Sequence, residues 1–118
     1  MPARSYLASL DDIIDSIETL KASVKPEDFE KLKDDRFFRF GVERAIEIIS
    51  EASRRIPESA KLKYPEIPWP NIKAIGNIIR HEYESVEPEI LWDVLSCHLD
   101  PLAKAVRQMK RDVITNKP

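Results

Sequence analysis

Residues 38–56, FRFGVERAIEIISEASRRI, contain the pattern that decides the fold. Apolar side chains recur along this stretch at alternating steps of four and three residues: Phe38, Val42, Ala45, Ile49, Ala52 and Ile56. This spacing places them on one face of a helix about five turns long, because an α-helix repeats every 3.6 residues. Pro57 follows immediately and ends the helix. We therefore predict a long amphipathic helix that packs its apolar face against a core.

The segments on either side show the same helical period. Apolar residues from Leu7 to Leu20 predict a first helix over about residues 4–22, and a short helix is expected to begin at Pro26. Residues 57–70 carry four prolines and predict a loop with about one helical turn. Pro70 then opens a helix with an apolar stripe of Ile72, Ile75, Ile79 and Tyr83. Glu87-Pro88-Glu89 opens the last helix, which we expect to kink or restart at Asp100-Pro101.

Turn residues suited to hairpins are scarce, because the chain has only two glycines and no Asn-Gly or Asp-Gly pair. The fold class is therefore predicted to be all-α. We expect an antiparallel bundle of four main helices plus a short helix, with residues 1–118 forming a single domain. Gly41 and Gly76 both lie inside helical patterns, where glycine is unfavourable, so we expect neighbouring helix backbones to approach closely at these positions.

Composition narrows the class of function. The net charge of −2 excludes general attraction to nucleic acid, so any RNA contact must come from a local patch. The single cysteine excludes a disulfide framework and suits a reducing compartment. No signal peptide is recognised, and no apolar run approaches the ~18 residues of a membrane span, so we expect a cytoplasmic protein without membrane contact.

A polar stripe lies opposite the isoleucines on the helix that follows Pro70. Asn77 and His81 are four residues apart, so their side chains can meet, and Arg80 and Lys73 flank them. Histidine, with an ordinary pKa near 6.5, is the natural proton carrier at neutral pH. The spacing alone favours the simpler interpretation, a surface histidine on an amphipathic helix.

The segment WPNIKAIGNIIRHEY, residues 69–83, resembles the signature helix of HepT-like proteins, whose motif is R-N-x-x-x-H-x-Y. These proteins are a branch of the HEPN superfamily of small helical domains. Residues 43–52, ERAIEIISEA, resemble the long helix of that family, and LWDVL followed by LDPL, within residues 91–102, resembles its last helix. The likeness covers nearly the whole chain in the same order.

The resemblance implies an all-α homodimer in which two motif helices face a shared cleft. It implies a metal-independent endoribonuclease without cofactors, often the toxin of a toxin–antitoxin pair, with RNA as substrate. The antitoxin would be a minimal nucleotidyltransferase that adds AMP to the motif tyrosine. Asn77, His81 and Tyr83 match the motif, so His81 is implied in proton transfer and Tyr83 as the AMP acceptor.

The motif arginine is absent, because Gly76 stands five residues before His81. Arg80 lies one helical turn further on and could reach the same phosphate, or it could be a solvated flanking charge. Two functions therefore stay open. One is a ribonuclease with His81, Arg80 and Asn77 at its site. The other is a catalytically reduced dimer that binds a nucleotidyltransferase or RNA without cutting.

Further basic residues could follow an RNA backbone. Lys104, Arg107 and Arg111 step by three and four along the last helix, and Lys73 flanks the motif stripe. Basic residues near a helix C-terminus also complement the helix dipole, so both interpretations stay open. Trp69 and Trp92 are interpreted as packing or dimer anchors rather than as platforms for bases. The sequence contains no convincing set of metal ligands and no glycine-rich phosphate loop.

Overall fold

The computed structural model describes residues 6–81 and 86–115, and throughout these ranges the ordered elements are helices. The α-helices are α1 (Leu7–Ser23), α2 (Phe29–Asp34), α3 (Arg36–Ser53), α4 (Glu58–Lys61), α5 (Trp69–His81), α6 (Pro88–Asp93) and α7 (Leu99–Thr115). A π-helical turn, Val94–His98, joins α6 to α7. The predicted all-α class is confirmed. Within the described ranges, no helix is long and apolar enough to cross a bilayer.

The start of α3 follows from a side-chain cap. The Asp35 carboxylate accepts a hydrogen bond from the backbone N–H of Phe38 at 3.0 Å, which satisfies one of the unpaired donors of the first turn. The predicted start of the short helix at Pro26 is wrong, because residues 26–28 form a turn and α2 begins at Phe29. The Asp28 carboxylate holds this turn by accepting from the backbone N–H of Lys25 at 2.9 Å.

The last helix is irregular one turn earlier than expected. Instead of restarting at Asp100-Pro101, the chain continues through the π-helical turn 94–98 into α7. A proline ring collides with the carbonyl four residues before it, here that of Cys97. The wider turn that contains Cys97 relieves this clash without breaking the helix.

The core is built where α1 packs between α3 and α7. Most of the apolar positions predicted on α1 and α3 are buried: Leu10, Ile13, Ile17, Leu20, Val42, Ile49 and Ala52. Phe38 and Ala45 are only partly buried, whereas Ile46, which was not predicted, lies in the core with Leu102 and Val106 of α7. Ion pairs of Asp11 with Lys110 at 2.6 Å, Glu18 with Arg107 at 2.9 Å, and Lys21 with Asp100 run beside this core. Because residue numbers rise along α1 while they fall along α7, the two helices are antiparallel.

Helix α5 lies on the outer side of α3, and Gly76 is its one buried residue among those described. A Cβ atom at position 76 would lie 2.1 Å from Ser50 Oγ and 2.6 Å from Ser50 Cβ, closer than any real contact. Ser50 is fully buried, and its hydroxyl donates to the backbone carbonyl of Lys73 at 3.3 Å. The expected close approach of helix backbones is therefore found at Gly76. At Gly41 it is wrong, because that site faces open space.

The two glycines give a matched pair of substitutions. We expect Gly76→Ala to lower the free energy of unfolding by about 1–3 kcal/mol, because the new methyl group overpacks the contact with Ser50. Gly41→Ala should raise it by up to about 1 kcal/mol, because alanine is the better helix former and meets no neighbour there. Chemical denaturation of the two variants and the wild type measures both changes. Effects of the same sign at the two positions would contradict this account of the α3–α5 contact.

Candidate functional site

Two residues of the polar side of α5, Asn77 and Arg80, contact α3 and its C-terminal end. Asn77 is partly buried, and its Oδ1 atom accepts two hydrogen bonds, from Arg54 Nη2 at 2.7 Å and from Arg80 Nη1 at 3.3 Å. One amide oxygen thus orients two guanidinium groups from two different helices. Each of these groups keeps further N–H donors, because a guanidinium carries five. The pair is suited to bind an anion with several oxygens.

Two carboxylates of α3 complete what we call the α3–α5 polar cluster: Glu47, Glu51, Arg54, Asn77 and Arg80. Arg80 Nε lies 3.6 Å from Glu47 Oε2, and Arg80 Nη2 lies 3.4 Å from Glu51 Oε1. Ion pairs of this exposure contribute little to stability. Their main effect is to hold the Arg80 side chain, which is 39% exposed, in a defined position above α3.

Arg54 is not among the residues predicted from the sequence, yet its side chain is more buried than that of Arg80. Its side chain is 28% exposed, and its buried Nε atom has no hydrogen-bond partner within the described ranges, with Glu51 Oε1 3.8 Å away. A signal for it exists in the sequence. Glu47, Glu51 and Arg54 step by four and three along α3, which places them on one polar stripe. That stripe lies against the stripe of Asn77 and Arg80.

Burial also affects a carboxylate next to this stripe. Glu43 lies one turn before Glu47 on α3, and burial raises its pKa above the ordinary glutamate value. The nearby Arg39 opposes this change, whereas Glu47 adds to it. The carboxylates of Glu43 and Glu47 therefore lie in the middle of α3, between Arg39 before them and Arg54 just after the helix.

His81 is exposed at the end of α5, next to Arg80. Its ring makes no hydrogen bond or ion pair with any described residue, so the expected contact with Asn77 is not formed. Asn77 instead turns toward Arg54 and Arg80. The imidazole is accordingly accessible to a ligand that reaches the guanidinium pair. Tyr83, the implied AMP acceptor, lies outside the described residues.

The four basic residues predicted to contact RNA fall on two separate surfaces. Lys73 is exposed on α5 and lines a groove together with Arg54. On α7, Arg107 pairs with Glu18 at 2.9 Å and Arg111 donates to Gln108 at 2.6 Å, whereas Lys104 is exposed. The ion pair of Arg107 favours a structural role for part of this stripe. Contact of α7 with RNA stays a prediction.

The apolar stripe of α5 borders a cleft instead of being fully covered. Ile72 and Ile75 line it with Ile46 and Ile49 of α3, while Ile90, Val94 and Leu99 form the opposite wall. The cleft has a volume of about 580 Å³. The expected inner stripe is therefore only half buried in one chain. No group of three metal-ligating side chains was found among residues 6–81 and 86–115.

Comparisons with known proteins identify a family for this chain. The protein-family model "Ribonuclease HepT-like" matches residues 13–109. A protein of Methanocaldococcus jannaschii named "Putative RNase MJ1380" is 31% identical over 106 residues, which cover 90% of this chain and 97% of the relative. A protein of Thermococcus cleftensis named "Probable ribonuclease HepT" is 32% identical over 108 residues, 92% of this chain and 98% of the relative. No solved structure gives a significant match. The chain belongs to the HepT-like ribonuclease family of HEPN proteins.

Proposed function

We propose that this protein, a single HepT-like domain, is a metal-independent endoribonuclease that acts as a homodimer in the cytoplasm. The observation that carries the proposal is the position of Arg80. Its guanidinium is fixed by Asn77 and the α3 carboxylates, and the next residue is the exposed His81. A proton carrier and a phosphate ligand thus stand side by side at the end of α5. Two relatives that this chain matches over almost their whole length are named as ribonucleases, which supports cleavage of RNA.

The proposed reaction is an intramolecular transesterification, in which the phosphoryl group moves from the 5′-oxygen of one nucleotide to the 2′-oxygen of the preceding ribose. The ribose 2′-oxygen loses its proton and bonds to the adjacent phosphorus, and the bond from phosphorus to the 5′-oxygen breaks as that oxygen gains a proton. His81 takes the first proton or supplies the second. The five-coordinate phosphorus carries additional negative charge, which the guanidinium of Arg80 stabilises. The products are a 2′,3′-cyclic phosphate and a 5′-hydroxyl.

The contact between Gly76 and Ser50 explains why the charge must come from Arg80. An arginine at position 76 would begin with a Cβ atom only 2.6 Å from Ser50 Cβ, so α5 would have to move away from α3. Arg80 lies one turn further along and reaches over the carboxylates of Glu47 and Glu51. A phosphate that enters the site can replace those carboxylates as the partner of Arg80. The same charge is thereby supplied without the motif arginine.

Two features favour a dimer. The mechanism needs an acid and a base, and one chain offers one motif histidine, so a second copy supplies the other. The half-buried isoleucines of α5 and the exposed Ile78 and Ile90 also leave apolar surface that a C2 partner can cover. By the family resemblance, the antitoxin is a minimal nucleotidyltransferase that adds AMP to Tyr83. Such a group would add negative charge two residues after His81 and oppose binding of RNA.

The alternative is a catalytically reduced dimer that binds a nucleotidyltransferase or RNA without cutting. One observation favours it, since both carboxylates near Arg80 already neutralise that side chain in the free chain. If they hold Arg80 against an incoming phosphate, the site binds but does not accelerate cleavage.

Substitutions at the end of α5 test the proposed roles. Arg80→Ala should lower RNA cleavage by roughly 10²-fold or more, comparable to the loss of one preorganised donor. Arg80→Lys should recover only part of this, because an ammonium cannot bind a phosphate at two places. His81→Ala should lose about 10²–10⁴-fold. Rates are measured on labelled RNA, with circular dichroism as a check on folding.

Arg36→Ala is the matched control, because Arg36 is exposed at the start of α3 and lies outside the polar cluster. It should cut like the wild type. Equal cleavage by wild type and Arg80→Ala would refute the role of Arg80. A wild type that binds RNA without cutting it would favour the alternative function.

Removal of metal tests the chemistry itself. Cleavage should continue in EDTA, because the imidazole moves the proton without a metal-bound water. The 3′ ends of the products should carry a 2′,3′-cyclic phosphate, identified by mass spectrometry. Loss of activity in EDTA that magnesium restores would point to a different mechanism.

The assembly is tested independently of activity. Light scattering at micromolar concentration should give about twice the chain mass of 13.7 kDa. Ile78→Glu or Ile90→Glu should shift this mass toward one chain, because each change places a charge on the apolar surface. A wild-type mass of one chain would contradict the dimer.

A further inference from the structure

A second groove opens beside the α3–α5 polar cluster, between the end of α3, helix α4 and the start of α5. We call it the basic groove. Its charged side chains are Arg54, Lys61, Lys73 and Glu58, and Trp69 lies in its wall. Its volume is about 730 Å³. With three cations and one carboxylate, the groove carries a formal charge of +2 on a chain whose net charge is −2.

The lysines of this groove lack the counter-charges that two basic residues of α7 have. Neither Lys61 nor Lys73 forms an ion pair with a carboxylate in the described part of the chain, whereas Arg107 and Lys110 pair with carboxylates of α1. The Lys61 ammonium instead lies 5.7 Å from the centre of the Trp69 ring. The positive charge of the groove is therefore available to a ligand.

Trp69 is fixed in this wall. Its indole N–H donates to the backbone carbonyl of Tyr64 at 3.2 Å, which sets the orientation of the ring. An aromatic ring of fixed orientation beside cationic side chains is the arrangement with which many proteins bind single-stranded nucleic acid. The aromatic side chain contacts bases, and the cations contact phosphates. The sequence favours a packing role for Trp69, and in the structure its ring both packs and borders the groove.

Arg54 connects the groove to the candidate active site. The same guanidinium lines the groove and donates to Asn77 Oδ1 at 2.7 Å. From Trp69 to His81, α5 rises by about 18 Å, at 1.5 Å per residue. An anionic strand that lies in the groove can therefore pass Arg54 and arrive at Arg80 and His81, because the guanidinium groups of Arg54 and Arg80 meet at Asn77 Oδ1. The carboxylate of Glu51 lies beside both groups, and the strand would replace it as their partner.

We propose that the basic groove binds the single-stranded RNA that flanks the cleaved phosphate. The inference rests on the proposed function for the identity of the strand, and it adds a subsite made by Arg54, Lys61, Lys73 and Trp69. Lys61 and Lys73 contact phosphates, a base lies against Trp69, and Arg54 directs the backbone toward Arg80. The groove thereby determines which stretch of a strand is placed at the histidine.

Binding is measured apart from cleavage, on the full chain with a labelled single-stranded RNA whose 2′-hydroxyls are methylated and cannot react. The double variant Lys61→Ala and Lys73→Ala removes two groove charges. The matched control, Lys25→Ala and Lys63→Ala, removes two exposed lysines that do not line the groove. Fluorescence anisotropy over a range of salt concentrations gives the affinity of each protein and its salt dependence.

The groove variant should reduce the slope of log affinity against log salt by about 1.4, at about 0.7 for each phosphate of a single strand that a lysine no longer neutralises. If the variant and the wild type bind equally well at 1 M salt, this smaller slope makes the variant bind roughly 25-fold more weakly than the wild type at 0.1 M salt. The control should bind like the wild type. Equal losses in both double variants, or no loss in either, would overturn the proposal.

A local signal comes from tryptophan fluorescence. In a Trp92→Phe background, the emission of Trp69 should change on addition of the RNA, in step with the anisotropy. An acidic peptide of the same charge should neither change it nor displace the RNA. Displacement by the peptide would overturn the proposal in favour of an acidic protein partner.

The outcome is independent of the catalytic test. If the wild type fails to cut ordinary RNA but binds the methylated strand through Lys61 and Lys73, the groove proposal stands and the nuclease proposal is refuted. If the wild type cuts RNA and the groove variant binds and cuts equally well, the nuclease proposal stands and the groove proposal is refuted.

Discussion

The approach of α5 to α3 at Gly76 and Ser50 is the constraint on which the functional side of this protein depends. With no Cβ at position 76, the two backbones come close enough for the Ser50 hydroxyl to bond the carbonyl of Lys73. This contact fixes both the separation and the register of the helices. In that register the polar stripe of α3 lies against that of α5, and Asn77 receives guanidinium groups from both sides.

The same contact determines where positive charge can be placed. A long side chain at position 76 is incompatible with this packing, so the cations stand one turn away on α5 and at the end of α3. Arg80 is balanced by two carboxylates, whereas Arg54 keeps a buried Nε atom without a hydrogen bond among the described residues. An unpaired buried donor costs free energy. A phosphate at this end of the helices would meet the remaining terminal N–H donors of the two guanidinium groups rather than the buried Nε atom.

The periodicity of residues 38–56 was enough to predict α3, its buried face and the all-α class, because an amphipathic face must be buried somewhere. It could not identify which helix covers which face. On a wheel of α5 alone, Asn77 points away from the isoleucines and toward solvent, yet α3 covers it. Arg54 was not predicted for the same reason, since its importance arises from a contact between helices. The close helix contact at Gly76 was predictable, because glycine inside a helix lowers its stability and needs a structural reason. Gly41 lowers helix stability in the same way, yet no neighbouring atom lies near it.

Basic residues alone do not identify a binding surface, as a comparison of the basic residues of α7 with those of the basic groove shows. On α7, Arg107 and Lys110 pair with Glu18 and Asp11 of α1, so the charge of these two residues is neutralised within the chain and joins two helices. Along α4 and the start of α5 the lysines border an aromatic ring, and no described carboxylate pairs with them. The sequence shows basic residues in both places, but it does not show which of them have a carboxylate partner. Tertiary structure separates them, since charge acts on a ligand only where the fold has not already neutralised it.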